Sequence, residues 1–475
     1  ILVNSRRQIR TAEGPLQLGF NLEWVTFQRD FWNAKKAALD PALVNSMAAF
    51  PGAVYRYPGG TVSNYLDLAG SLGPVDQRTP QQPVPWTDPS PMTFGLAEYY
   101  DFLAAVRGTP WLVLNVYGRR GAEMPLSVLE PTWERVAEFV RDKPAPLRFE
   151  LGNELYLPFY KLHAQSYADR ARRAAEILRT LMPDVRTVAV LADFDPPGLR
   201  KRDFNRPVSR IGPGLVADFA QHSYYAGPPG GPPVPNRLRE ICRTVGELKQ
   251  AGHADPTIWV TEHARWPGGR TSDTDWKKLW PKSNDLEAAL GVSDYVIGLS
   301  QMRAVRGAFL HSLSGTQGPW ALLMRGDKGA LIPSAVYRAL EVLRPMFGQL
   351  DIHDVQLQST DSAGYPGDYD MRATVARDPA SDTWHLFIVQ RAPRRMPMRV
   401  RLPGLAGAEV RAAHRHISGG TGSDNNSVAE PERIAVQDQP MHLRFDADGQ
   451  TTFNLPPLSV NHLILPRPNA GTRKP

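Results

Sequence analysis

The stretch LRFELGNEL, residues 147–155, reads as a short buried strand that ends on an asparagine and a glutamate. A second stretch, TIWVTEH at 257–263, reads the same way and closes on Glu262. Working outward, similar apolar runs recur at Leu16–Glu23, Ala53–Tyr57, Trp111–Val116, Thr187–Leu191, Asp218–His222 and Gly307–His311, which with the first two makes eight. Segments with helical apolar spacing lie between them: roughly Pro41–Phe50, Gly95–Arg107, Pro131–Arg141, His163–Leu181, Asn236–Ala251 and Asp285–Arg303, with Ser334–Leu343 after the eighth run. This alternation predicts an α/β fold, a (β/α)8 TIM barrel over residues 1–347. A doubly wound open sheet would carry a Gly-rich phosphate turn after its first strand, and LGFNLEW has none.

Beyond residue 347 helical periodicity stops. Short strand-like segments, Asp351–Gln358, Met371–Val375, Trp384–Val389, Met398–Leu402, Val410–His416, Met441–Phe445 and Val460–Leu465, alternate with Gly, Pro, Asp and Ser. Residues 348–475 are therefore expected to form an antiparallel β-sandwich, with Ser418–Ser427 as an exposed loop. A chain of 475 residues is long enough for both units.

Composition excludes several classes. The single cysteine, Cys242, rules out an internal disulfide and a Cys-based zinc site, and its helical surroundings suggest a buried thiol. No apolar run approaches the roughly 18 residues of a membrane span. The net charge of +7 is scattered, without a basic helix face, zinc finger or RNA-binding signature, so no nucleic-acid partner is expected. There is no HExxH motif for a catalytic metal and no G-x-S-x-G elbow for a serine hydrolase. No cofactor is expected. No signal peptide is recognisable, and the expected location is secreted or periplasmic. Oligomeric state is not legible.

Catalytic groups of such barrels project from the C-terminal ends of strands. Strand alternation puts Glu150, Gly152 and Glu154 on one face, with Glu150 deep, paired with Arg56, and Glu154 at the rim. Hydrolysis of a glycoside with retention needs a carboxylic acid and a carboxylate nucleophile about 5–5.5 Å apart. Strands four and seven of a barrel can present Glu154 and Glu262 at such a separation. Trp86, Trp266, Trp276, Trp280 and Trp320 fall in rim loops, where indole faces suit sugar rings, whereas Trp133, Trp259 and Trp384 read as core. The long connections Thr79–Thr93 and Asp193–Gly214 would wall the cleft.

These motifs resemble the clan of retaining (β/α)8 glycosidases, and most closely its α-L-arabinofuranosidase family. VYRYPGGTVSNYLDL (54–68), FGLAEYYDFLAAVRGTPWLVLNV (94–116) and FAQHSYY (219–225) are similar to segments of that family, in order along the chain. The resemblance implies Glu154 as acid/base and Glu262 as nucleophile. It implies that Asn153 bonds the hydroxyl beside the anomeric carbon and that Tyr224 holds the nucleophile. Glu23, His222, Trp266, Gln317 and Arg56 complete the expected sugar-binding set, with no metal. Thr61 stands where the family usually has Asn, and His263 where an aromatic usually follows the nucleophile. FELGNE and GGT also resemble the heparanase and β-glucuronidase branch, and Arg265, Arg270, Lys277, Lys278 and Lys282 could serve an acidic glycan. The expected partner is an oligo- or polysaccharide of plant or microbial origin, taken by an exo-acting arabinofuranosidase-like enzyme. The alternatives are a hydrolase of acidic glycans and a carbohydrate-binding protein without activity.

Overall fold

A computed structural model describes the chain apart from residues 120, 144–146, 194–200, 217, 226–232, 272, 315–317, 327–328, 358–370 and 468–475. For residues 2–6 it describes the backbone alone. Eight parallel strands close into a barrel: β1 (Gln17–Asn21), β2 (Val54–Tyr57), β3 (Thr109–Leu114), β4 (Arg148–Leu151), β5 (Arg186–Val190), β6 (Asp218–Tyr225), β7 (Thr257–Arg265) and β8 (Val305–Leu310). All eight coincide with the apolar runs read from the sequence. Each is buried on both faces, which is why it appears as a near-continuous hydrophobic run.

The barrel interior is filled in layers. At its floor Arg148 lies over the Trp259 ring and pairs with Asp218. Above it Trp111, Trp259 and Phe309 pack together, with ring centroids 4.9 Å apart for the tilted pair Trp111–Trp259 and for the edge-to-face pair Trp111–Phe309. These bulky rings fit because β1 and β8 carry glycines opposite them. A Cβ on Gly19 would stand 2.2 Å from the Phe309 ring, and one on Gly307 2.6 Å from the Trp259 ring.

The C-terminal strands are β9 (Asp351–Gln356), β10 (Met371–Asp378), β11 (Thr383–Gln390), β12 (Met396–Arg401), β13 (Glu409–Ser418), β14 (Gln437–Arg444), β15 (Gln450–Leu455) and β16 (Ser459–Leu465). They form the β-sandwich, hydrogen-bonded in the order β14-β13-β16-β11-β10-β9, then an N-terminal strand (Leu2–Arg10), then β12-β15. The division at residue 347 therefore needs one correction, because Leu2–Arg10 pairs with β9 and β12 and not with the barrel. Register shifts at Gln8 interrupt its alternation and hide it in the sequence. β15 was also not foreseen, although Thr451, Phe453 and Leu455 alternate inward.

Alternate residues of the sandwich serve two cores. Val375, Leu386, Ile388 and Leu463 fill its interior, while Ala376, Phe387, Val389 and Val460 join the barrel core. The helix Leu286–Ser300 lies between the two units and is apolar and buried on every side. Its one buried acid, Asp294, accepts hydrogen bonds from Arg372 and Arg391 of the sandwich. The loop expected to be exposed at Ser418–Ser427 is instead anchored to the barrel rim, with Asp424 O and Gly422 O accepting from Leu286 N and Glu287 N, each at 2.8 Å. Cys242 is exposed, since the buried stripe of its helix runs through Leu238, Ile241 and Leu248 and leaves it one position off. The connection Asp193–Gly214 contains a helix, Lys201–Val208. Among the described residues no helix is long and apolar enough to cross a membrane.

Replacing Asp294 by alanine is expected to cost about 3–5 kcal/mol, because two arginines lose their buried counter-charge. Urea unfolding checks this; an unchanged midpoint and slope would show that the cluster does not tie the sandwich to the barrel.

Candidate active site

Arg56, on β2, lies at the centre of the barrel mouth with a fully buried side chain. Its Nε and Nη2 donate to Glu150 Oε2 and Oε1 at 2.8 and 2.9 Å. Nη1 donates to Asn21 Oδ1 at 2.7 Å and Glu262 Oε1 at 2.8 Å, and Nη2 also donates to Asn153 Oδ1 at 2.7 Å. Glu150 accepts further bonds from Trp111 Nε1 and Thr261 Oγ1. Burial would raise the Glu150 carboxyl, but the Arg56 charge and the His222 and Arg56 donors bring it down to about 2. The expected Arg56–Glu150 pair is present. Arg56 itself needs correcting, because it lies beneath the carboxylates with its donors spent and cannot be a sugar ligand.

Glu262 reaches the mouth through an irregularity in β7. Gln221 of β6 pairs with Val260 while its neighbour His222 pairs with Glu262, so Thr261 is an extra residue. This bulge lets Thr261 and Glu262 both turn inward, one to Glu150 and the other to Arg56. His263 consequently points outward to Tyr225 and Tyr295, away from the mouth. Tyr224 donates to Glu262 Oε2 at 2.7 Å, and His222 and His311 approach the same oxygen at 3.6 and 3.8 Å. Burial opposes ionisation of Glu262, yet the charges of His222, His311 and Arg56 and the Tyr224 hydroxyl hold it well below the ordinary carboxylate range.

Glu154 arrives differently from the alternation read in the sequence. β4 ends at Leu151, and the chain turns through Gly152 at φ 85° to place Glu154 itself in the left-handed region, at φ 47°. A non-glycine residue held there stores strain of order 1–3 kcal/mol, which clusters at functional sites. Glu154 Oε1 lies 2.8 Å from His222 Nδ1 and accepts from the Tyr156 hydroxyl at 3.3 Å. Burial lowers the His222 pKa, but Glu262, Glu150 and Glu154 outweigh it and raise the ring to about 10. His222 was expected to bind sugar; it is buried among three acids and acts on them instead. Glu154, His222 and Glu262 each offer an atom within 4.8 Å of the others, a set that could also hold a cation.

Asn153 is gripped from beneath by Arg56 and by Asn64, which accepts from Asn153 N at 2.9 Å and donates to Asn153 O at 2.6 Å. Its own Nδ2 is buried without a protein partner among the described residues. Such a donor calls for an acceptor on a ligand. Glu23, after β1, is partly buried, and burial with the nearby Glu262 charge raises its carboxyl to about 7 despite Arg29. Trp266 packs 5.7 Å from Tyr224, and Trp320 packs 5.3 Å from Tyr224 and 5.1 Å from His311. Trp320 is also left-handed, at φ 62°. Gln317 lies outside the described residues. Trp86, expected among the rim aromatics, is 72% exposed. Trp133, Trp259 and Trp384 are core, as expected.

The sequence reading missed Asn64, Tyr156 and Asp193, the last bonded to Tyr156 OH at 3.0 Å and facing Arg237. Their only signal is position just beyond strands two, four and five. Arg265, a candidate for acidic glycans, is buried against Lys282 O, Asp285 and Glu287.

No family model matches the chain. Solved structures share its fold. An α-L-arabinofuranosidase from Thermotoga maritima, in complex with arabinose, superposes with a TM-score of 0.78 at 15% identity, covering 98% of this chain and 99% of that one. The family GH51 arabinofuranosidase from Xanthomonas axonopodis pv. citri gives 0.78 at 16% identity, covering 98% of both. Among curated proteins, the intracellular exo-α-(1→5)-L-arabinofuranosidase of Streptomyces lividans is 25% identical over 459 residues, 88% of this chain and 67% of that protein.

Removing the Tyr224 hydroxyl takes a donor from the Glu262 carboxylate and must raise its pKa. In Tyr224→Phe the acid limb of kcat/KM is expected to move up by about one pH unit. A limb superimposable on wild type would remove Tyr224 from that role.

Proposed function

We propose that the protein is a retaining glycoside hydrolase that releases α-L-arabinofuranosyl residues. The observation that carries this is the pair Glu154 and Glu262, whose nearest oxygens lie within 4.8 Å. That fits the close spacing of double displacement, roughly 5–5.5 Å between carboxyl groups, better than the about 6.5–9.5 Å that inversion uses to admit a water. The Streptomyces lividans relative and the superposable arabinofuranosidases support the choice of sugar.

In the first step Glu262 attacks the anomeric carbon while Glu154 gives its proton to the departing oxygen. The electron pair of the glycosidic bond leaves with that oxygen, and the sugar is held as an ester of Glu262. Glu154 then carries a charge that the His222 imidazolium, 2.8 Å away, balances. In the second step Glu154 takes a proton from water as the water's oxygen attacks the same carbon, and Glu262 is released. The Asn153 amide donates to the hydroxyl next to the anomeric carbon, a bond that strengthens as positive charge develops on the ring. Glu23 binds sugar hydroxyls from the facing wall, and Trp266 flanks the pocket.

A neutral sugar is favoured over a uronate. Among the described residues, the cations at the carboxylates are already bonded: Arg56 to four side chains, Arg237 to Tyr224 O and Asp193. The reading as an inactive binding protein has against it an ionised nucleophile and an acid/base held by His222 and Tyr156. Exo action is consistent with the name of the Streptomyces lividans relative, which also describes that enzyme as intracellular and so lends no support to secretion.

Wild type is expected to hydrolyse 4-nitrophenyl α-L-arabinofuranoside and to leave the β-glucuronide intact. Glu262→Ala and Glu154→Ala should each lose about 10⁴-fold or more in kcat. Azide should rescue them with opposite stereochemistry: inverted glycosyl azide from Glu262→Ala, retained from Glu154→Ala. Full activity in both variants would refute the assignment, and preferential cleavage of the glucuronide would replace the sugar.

A further inference from the structure

A row of aromatic rings leads away from the nucleophile. Tyr224, bonded to Glu262, contacts Trp266; Trp266 contacts Trp276 at 6.1 Å; Trp276 contacts Trp280 at 5.7 Å. The row ends in a cavity of about 690 Å³ between the barrel rim and the sandwich loop at 421–428. Trp280, Asn284 and Met324 line its barrel side, and Ser423, Asn425 and Val428 its sandwich side.

We propose that this cavity is a distal subsite for the neutral saccharide chain from which the terminal sugar is removed; the proposal rests on the glycosidase reading above. Three features point to that ligand. The first is continuity, since partly exposed rings connect the catalytic carboxylate to the cavity without a break. The second is chemistry. Trp280 buries its indole nitrogen, so what it gives the cavity is the carbon face of the ring, a platform for a sugar. The Ser423 hydroxyl and the amides of Asn284 and Asn425, which are bonded to one another, border that platform. The neighbouring arginines are already paired, Arg325 with Asp40 and Arg433 with Asp424 and Glu430, and Lys277 lies over the Trp280 ring. Such a lining suits uncharged hydroxyls better than carboxylates or sulfates.

The third feature is the rigidity of the sandwich wall. Besides the bonds from Leu286 N and Glu287 N, Asn425 Nδ2 donates to Asn284 Oδ1 at 2.9 Å and its Oδ1 accepts from Ala335 N at 3.1 Å. Asn426 donates to Pro333 O and Ile434 O. The Asn425 and Asn426 amides therefore fix the loop against the barrel, while Ser423 and Val428 remain exposed towards the cavity, Val428 at 52%. A wall held this firmly loses little entropy when a chain is laid against it. The sandwich thus supplies one side of a substrate groove.

The test compares arabino-oligosaccharides of two to six units with the aryl arabinofuranoside. Wild type should gain in kcat/KM as the oligosaccharide lengthens. In Trp280→Ala, and in Val428→Trp, which fills the cavity from an exposed position, the ratio of kcat/KM for the hexasaccharide to that for the aryl substrate should fall about tenfold. Calorimetric binding of the hexasaccharide to Glu262→Ala protein, with and without Val428→Trp, should show the same loss without turnover. A length-independent wild type, or equal ratios in wild type and variants, would overturn the subsite while leaving the glycosidase reading intact. Failure of wild type on every arabinofuranoside would instead overturn that reading, and the calorimetry would still decide whether the cavity binds a neutral chain.

Discussion

The Arg56 guanidinium spends five N–H donors on five acceptors from Glu150, Glu262, Asn21 and Asn153, and so ties together residues of β1, β2, β4 and β7. A charge this deep is tolerable only if it is fully paired, and only a planar fork can meet acceptors from three other strands at once. Lysine could satisfy three of them from one point and would leave the others orphaned. Fold and chemistry therefore share one constraint. The same cation that closes the centre of the barrel mouth sets the position of the Glu262 carboxylate and of the Asn153 amide.

Two carboxylates, Glu150 and Glu262, face that single guanidinium, so the centre would carry excess negative charge were it not for His222. This imidazole lies 2.8 Å from Glu154, 3.6 Å from Glu262 and 3.9 Å from Glu150. Its raised pKa follows from that company, and it explains how a buried site can hold several acids close together. Depth then separates their tasks. Glu150 is fully buried and bonded on both oxygens, whereas the side chain of Glu154 keeps 19% of its surface exposed and can exchange protons with water. Glu23, raised to about 7 mainly by burial, is a carboxyl whose ionised fraction changes most around neutrality.

How much of this was legible in the sequence follows from what each residue touches. The eight barrel strands were legible because burial on both faces writes them as apolar runs. The helices were legible because each hides one stripe, though Cys242 shows that period alone leaves the phase uncertain by one position. Leu2–Arg10 was not legible, since bulges erase alternation and its partners lie some 340 residues away in sequence. Glu154 and Glu262 were expected at the mouth from their place at strand ends, and the structure brings them together there, but the means of delivery were hidden: a left-handed backbone in one case, a bulge at Thr261 in the other. Arg56 and His222 were placed against the sugar because a motif carries no depth. Only three-dimensional packing shows that both sit below the carboxylates.

The Thr261 bulge shows why such features resist reading and why they persist. In a regular strand Glu262 would share a face with Val260 and turn outward, and His263 would face the mouth. One inserted residue reverses that, delivering the carboxylate to Arg56 and sending His263 into the helix layer against Tyr225 and Tyr295. The bulge costs ladder hydrogen bonds, and Thr261 offsets part of that cost by donating to Glu150. Because Glu150 is held in turn by Arg56 and Trp111, the irregular residue is fixed from the most rigid part of the barrel. The Glu262 carboxylate is thus positioned by a local defect that the core around it holds in place.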